Sequence, residues 1–217
     1  MQRRKNTTEV YQVKIRLLQI SPTIFRRLLI RSDSTIAELH FIIQIVMGWP
    51  NLHLHKFVIH GKEYGISYAG GTGFSDDPKQ VQLNRFGFRL KERFVYEYNF
   101  YDNWQHEIRI ENILPLEPKR TYPVCISGTR NAPPDDCGGA WAFMSLTQQY
   151  PIGYVAYRVL DILQEKDTKE NREELHTLKY WLKAYHFDRQ AINQRLYRYV
   201  SKHEDPESLI EEVEQCV

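Results

Sequence analysis

The chain has 217 residues, enough to bury a full core without disulfides or structural metal, and its formal net charge of +2 carries no general polyanion-binding signal. Three cysteines (Cys125, Cys137 and Cys216) are an odd count and too few for a disulfide scaffold. No early apolar run resembles a signal peptide and no stretch approaches transmembrane length, which speaks against a membrane role and for a reducing cytoplasmic setting.

Met1 to Thr8 reads as a polar, basic arm. From Tyr11 to Leu17, apolar and polar residues alternate as in a half-buried strand. Ser21-Pro22 marks a turn, and Ile24 to Ile30 reads as a second strand carrying Arg26-Arg27, so the two predict a hairpin. Thr35-Ile36-Ala37-Glu38 is a capping box. Leu39, Ile42, Ile43, Val46 and Met47 follow at helical spacing, and Gly48 suits a left-handed stop. His53 to His60 predicts a strand turning at Gly61-Lys62 into Glu63-Tyr64. Residues 65–80 form a long Gly-, Ser- and Asp-rich loop, and Val81 to Leu83 is a candidate edge strand.

The most informative stretch is Phe94 to Ile110. Phe94, Tyr96, Tyr98 and Phe100 alternate with polar or small partners, and so do Trp104, His106, Ile108 and Ile110 beyond a short polar break. This predicts an antiparallel hairpin with one buried face. Its turn gathers a carboxylate (Asp102), a large ring (Trp104) and an imidazole (His106) at one end. Tyr122 to Ile126 predicts a further strand, and Ser127 to Gly139 a turn-rich loop. From Trp141 onward charged residues surround leucines and aromatics at helical spacing, with short helices expected over Asp188–Val200 and Pro206–Val213. The fold class is therefore α+β: an antiparallel or mixed sheet of hairpins with one strong helix near 35–47, then a C-terminal helical part. The sheet-rich part spans 9–139, the helical part 140–200, and a helix or tail 201–217.

Several separated motifs resemble one family. They are Tyr11-Gln12-Val13-Lys14-Ile15 with Ser21-Pro22 and Arg26-Arg27; Ala37-Glu38-Leu39-His40; Met47-Gly48-Trp49; His53-Leu54-His55-Lys56-Phe57; Asp102-Asn103-Trp104-Gln105-His106-Glu107-Ile108; and Pro133-Pro134-Asp135-Asp136-Cys137-Gly138-Gly139. Together they resemble the ORF-3-like family first described from a root-inducing plasmid. The resemblance implies a stand-alone α+β domain, sometimes linked to plasmids or transposons, with no assigned reaction. Four positions depart from the family pattern. Phe25 stands where relatives usually have Trp, Asn99 where they have Asp, Tyr101 where they have a turn Gly, and Ala132 interrupts a cysteine set formed with the equivalents of Cys125 and Cys137.

Three constellations bear on function. His53 and His55, two apart on one strand, point to the same side; with His106, Asp102 and Cys137 they are candidate ligands for a divalent metal, or else imidazoles that cap turns. Asp135-Asp136-Cys137, held between prolines and glycines, presents either a thiol of lowered pKa or a helix cap. Arg26 and Arg27, with Lys14, Arg16 and Arg31 and an exposed aromatic such as Trp49 or Tyr68, make a candidate basic patch for a single strand, or a solvated strand face. The first expectation is a non-catalytic binding or interaction module using Asp102, Trp104, His106, Asp135 and Asp136, with no obligatory cofactor and a protein or nucleic acid as partner. The alternatives are a metal-dependent hydrolase or nuclease built on His53, His55, Asp102 and His106, and a nucleic-acid adaptor built on Arg26 and Arg27.

Overall fold

The computed structural model describes residues 8–67, 73–205 and 208–209. Among these, β1 (Glu9–Leu17), β2 (Phe25–Arg31), β3 (His55–Ile59), β4 (Lys62–Gly65), β5 (Arg93–Tyr98), β6 (Trp104–Pro115) and β7 (Val124–Thr129) form one sheet in the order β4-β3-β5-β6-β1-β2-β7. Every pairing is antiparallel. The long β6 is the spine. It pairs with β5 from Arg93↔Arg109 to Tyr98↔Trp104 and with β1 from Glu9↔Pro115 to Leu17↔His106. Two hairpins, each legible from period-two alternation, are thus joined edge to edge.

α1 (Ile36–Met47) packs under the sheet. Its start is a complete capping box: Glu38 N–H donates to Thr35 Oγ1 at 3.1 Å, and Thr35 N–H donates to Glu38 Oε2 at 2.7 Å. Gly48 closes it with φ 76°, where a Cβ would be strained. Nine of its side chains are buried, because the sheet covers one flank and the C-terminal helices the other. Each fully buried Ile there contributes on the order of 2 kcal/mol relative to exposure.

The helical part comprises α2 (Gly139–Gln149), α3 (Ile152–Ile162), α4 (Lys169–Lys183) and α5 (Arg189–Ser201), the last capped by Asp188 accepting from Ala191 N–H. Phe143, Val155, Leu178, Trp181, Ile192 and Leu196 belong to the same core cluster as the sheet residues. α5 also covers the free edge of β7. The Asn193 side chain accepts from Cys125 N–H at 2.7 Å and donates to Cys125 carbonyl at 2.9 Å, standing in for a neighbouring strand.

Some local expectations shift. β3 begins at His55, so His53 precedes the strand and the two imidazoles do not share its alternation. The β3–β4 turn is His60-Gly61, one residue earlier than predicted, with φ 51° and 78°. Val81–Leu83 is no strand: Gln82 makes a lone bridge to Thr35, and Leu83–Phe86 is a 3₁₀ turn. Phe100 leaves the hairpin face and is exposed in the turn. Met1–Thr7 of the expected arm, Tyr68, Cys216 and most of the helix expected at Pro206–Val213 lie outside the described residues. Among the described residues, no helix is long and apolar enough to cross a membrane.

Thr35→Ala removes one half of the capping box and is expected to lower unfolding free energy by about 1 kcal/mol in urea titrations. An unchanged midpoint would contradict the cap's contribution.

Candidate functional site

The loop from Asn131 to Gly138 lies across the β5–β6 turn, and two indoles hold it there. Trp49 Nε1–H donates to the Pro133 carbonyl and Trp104 Nε1–H to the Asp135 carbonyl, both at 2.8 Å. Farther along, Gly138 N–H donates to Asp102 Oδ2 at 3.0 Å. Gly139 then comes so close that a Cβ on it would stand 2.2 Å from the Asp102 carbonyl oxygen, and its φ is +77°. Both counts require glycine.

So held, the loop turns its two carboxylates toward the hairpin and toward His53. Tyr98 Oη–H donates to Asp135 Oδ2 at 3.0 Å, and Asn99 Nδ2–H donates to Asp136 Oδ1 at 3.2 Å. His53 Nε2 lies 2.9 Å from Asp136 Oδ1 and 3.7 Å from Asp135 Oδ2. Asp135 is buried and its Oδ1 has no hydrogen-bond partner. Burial raises its carboxyl to about 6; the Tyr98 hydrogen bond and His53 oppose this and the Asp136 charge adds to it. Among the described residues, His53, Asp135 and Asp136 are the group whose ligand-type atoms all lie within 4.8 Å of one another.

Behind this group sits a layer of buried histidines. The His55 ring stacks on His40, centroids 3.5 Å apart and planes 7° from parallel. His40 bonds Tyr96 Oη at 2.8 Å and Asn51 Oδ1 at 2.6 Å, and Tyr96 Oη also accepts from Gln44. His106 lies edge-on to Trp49, sealed in the interior. Burial pushes the pKa of His40 down to about 4, of His55 to about 2 and of His106 to about 3. For His55 the neighbouring His40 adds to the effect.

Against the same loop a cleft of about 390 Å³ opens between residues 131–135, residues 47–50, α2 and α4. Leu146, Tyr150, Tyr180 and Trp181 give it apolar walls, with Asp135 and His176 at its polar margin. The Tyr150 and Trp181 rings are stacked at 5.1 Å, and Tyr180 Oη–H donates to the Ala132 carbonyl at 3.2 Å.

Residues 9–195 match the family model described as plasmid pRiA4b ORF-3-like protein. The chain belongs to the plasmid pRiA4b ORF-3-like family. An uncharacterised protein from Sinorhizobium fredii, y4hQ, is 29% identical over 140 residues, covering 64% of this chain and 72% of that one. A crystal structure of a protein of unknown function from Methanosarcina mazei Go1, MM3350, is 29% identical with a TM-score of 0.64, covering 85% of this chain and 98% of that one.

Placed on this ORF-3-like fold, the sequence-predicted residues separate. His53, Asp135 and Asp136 converge. His55 and His106 are sealed in the interior layer, and Asp102 and Trp104, also buried, brace the loop and present no surface to a ligand. Cys137 has no lowered pKa: burial, with the Asp102 and Asp135 charges, pushes it up to about 12. The basic patch dissolves too. Arg26 is interior, donating to the carbonyls of Val46, Phe25 and Thr129, and burial lowers its pKa to about 10. Arg27 makes a two-point pair with Glu111, Arg16 and Arg31 pair with Glu107 and Asp33, and Trp49 is buried. Tyr98 and the apolar wall of the cleft carry no signal in sequence as site residues; Asn99 does, as the hairpin-turn position where the family pattern has Asp.

Gly139→Ala is expected to destabilise the fold by roughly 2–4 kcal/mol, since both its φ and its contact with Asp102 exclude a Cβ; a loss below about 0.5 kcal/mol in denaturant titrations would contradict that packing.

Stability should also fall on acidification. His40, His55 and His106 stay neutral in the fold but charge on unfolding below about pH 6.5, so their contribution is lost as pH drops toward 4. Asp135 acts oppositely, because its raised pKa makes the native state take up a proton before the unfolded chain does. Three groups against one leave a net loss, on the order of 2–3 kcal/mol per pH unit between pH 6 and 4. Urea titrations across that range check it, and His106→Leu should flatten the slope.

Proposed function

We propose that the protein is a non-catalytic binding module of a plasmid- and transposon-associated family, acting in the cytoplasm through the cleft bounded by residues 131–135, α2 and α4. The observation that carries this reading is the cleft itself. Its walls are aromatic and apolar, its margin carries Asp135 and His176, and the loop forming one side is braced by two indole–carbonyl bonds. A preformed apolar concavity with few, fixed polar groups is the usual form of a small-ligand or side-chain-anchor site. Asp135 and His176 supply its polarity; the Trp49 and Trp104 bonds to the loop carbonyls supply its rigidity.

Metal-assisted hydrolysis, the second reading, draws its support from His53, Asp135 and Asp136 alone. His55 and His106 are neutral and buried, so they are poorly placed to exchange protons with a substrate. The nucleic-acid adaptor reading loses its motive, since the guanidinium of Arg26 is spent on backbone carbonyls.

Titration with 1-anilinonaphthalene-8-sulfonate tests the cleft. One saturable site is expected, weakened at least tenfold by Thr177→Trp, which projects a large ring into the cleft from an exposed helix position, and by Leu146→Trp. Probe binding indifferent to both substitutions would remove the cleft from consideration.

A further inference from the structure

We propose that His53, Asp135 and Asp136 bind one divalent cation of the zinc–manganese class, a site that goes beyond the cleft reading and stands without it. Three features carry it. The ligand set is right in kind: one imidazole nitrogen and two carboxylates, a mixed donor set suited to borderline cations, with positions left for water or a bound group. The spacing is right as well. His53 Nε2 lies 2.9 Å from Asp136 Oδ1 and 3.7 Å from Asp135 Oδ2. The two carboxylates come within 4.8 Å of each other; donors about 2.0–2.2 Å from one cation stand on the order of 3.0–3.4 Å apart, so rotation of the partly exposed His53 and Asp136 side chains brings the set together.

The third feature is independent of the cluster's charge count. Asp135 is only 9% exposed, one of its carboxylate oxygens meets Tyr98, and the other has no hydrogen-bond partner. Buried carboxylate oxygens without donors are uncommon, and a cation satisfies one directly. His53 Nε2 is in the same condition: it is near both carboxylates but in hydrogen-bond geometry with neither. A cation between the three would meet His53 Nε2 directly and bind the Asp135 carboxylate through the oxygen that faces His53. The loop's backbone is already fixed by Trp49 and Trp104, so little ordering remains to be done on binding.

Asn99 offers a way to strengthen the site. Its Oδ1 accepts from Asp102 N–H at 3.3 Å, while its Nδ2 sits 3.2 Å from Asp136 Oδ1. In Asn99→Asp one oxygen keeps the Asp102 amide and the other replaces the amide nitrogen with a fourth donor.

The test is calorimetric titration of chelator-stripped full-length protein with Zn²⁺ and with Mn²⁺. One equivalent of at least one of them is expected to bind. His53→Ala and Asp136→Asn should each weaken it at least 30-fold, Asn99→Asp should tighten it at least fivefold, and Cys137→Ser should leave it unchanged. Asp136 and His53 carry the test because both are partly exposed and tolerate substitution, whereas Asp135→Asn disturbs a buried hydrogen bond. The Co²⁺ complex should show d–d absorption without a thiolate charge-transfer band. Absence of stoichiometric binding by either metal, binding within threefold of wild type in both His53→Ala and Asp136→Asn, or loss in Cys137→Ser equal to that in His53→Ala each overturns the site.

Discussion

The bond from the Trp104 indole to the Asp135 carbonyl is the constraint on which the functional end of the molecule depends. An indole N–H is a donor only, and a buried one must find an acceptor. Trp104 is fully buried at the first residue of β6, so its partner has to come to it. The partner is a backbone carbonyl, and Trp49 takes a second one two residues earlier in the same loop. Because both contacts are made to the main chain, they hold the loop whatever its side chains are. The carboxylates of Asp135 and Asp136 are left free for Tyr98, Asn99 and His53. Gly139 completes the arrangement by letting the chain pass the Asp102 carbonyl at a distance no other residue allows.

Beneath that loop, α1 and the sheet meet through a polar–aromatic layer where plain hydrocarbon would also pack. Tyr96 Oη is its hub, shared by His40 and Gln44, and His55 lies flat on His40. Such a layer costs desolvation and returns directionality. Stacked rings and hydrogen bonds admit one arrangement, whereas aliphatic side chains tolerate several. Neutral imidazoles carry this layer at pH 7, which ties its integrity to pH in a way an aliphatic core would not be.

Much of this was legible in sequence. The alternation through Phe94–Tyr98 and Trp104–Ile110, the capping box at Thr35, the stop at Gly48 and the left-handed Gly138-Gly139 all stand where their chemistry places them. Less legible were the features set by tertiary context. His40 sits in an ordinary helical stripe, and nothing local distinguishes it from a solvent-facing histidine. The His53/His55 pair misled because β3 starts at the second of them, and period-two alternation holds only within a strand. Arg26 looked like half of an exposed basic pair. Yet the last carbonyls of a helix lack intrahelical donors, and the guanidinium of Arg26 answers that of Val46 near the end of α1.

That exchange also explains why the helical part shares the sheet's core. Arg26 joins β2 to α1 and to β7 through the Thr129 carbonyl, and α5 clasps β7 through Asn193. With β7 held from both sides, the chain leaves it into residues 130–136 in a defined direction. Asp135 then serves two neighbourhoods, the margin of the aromatic cleft and the group it forms with His53 and Asp136. A ligand in the cleft and a cation at His53, Asp135 and Asp136 would compete for or reinforce one carboxylate, and thermodynamic reciprocity requires that each alter the other's affinity by the same factor. Cation affinity measured with the cleft filled, as in Thr177→Trp, therefore reads out whether the cleft and the cation group act as one site.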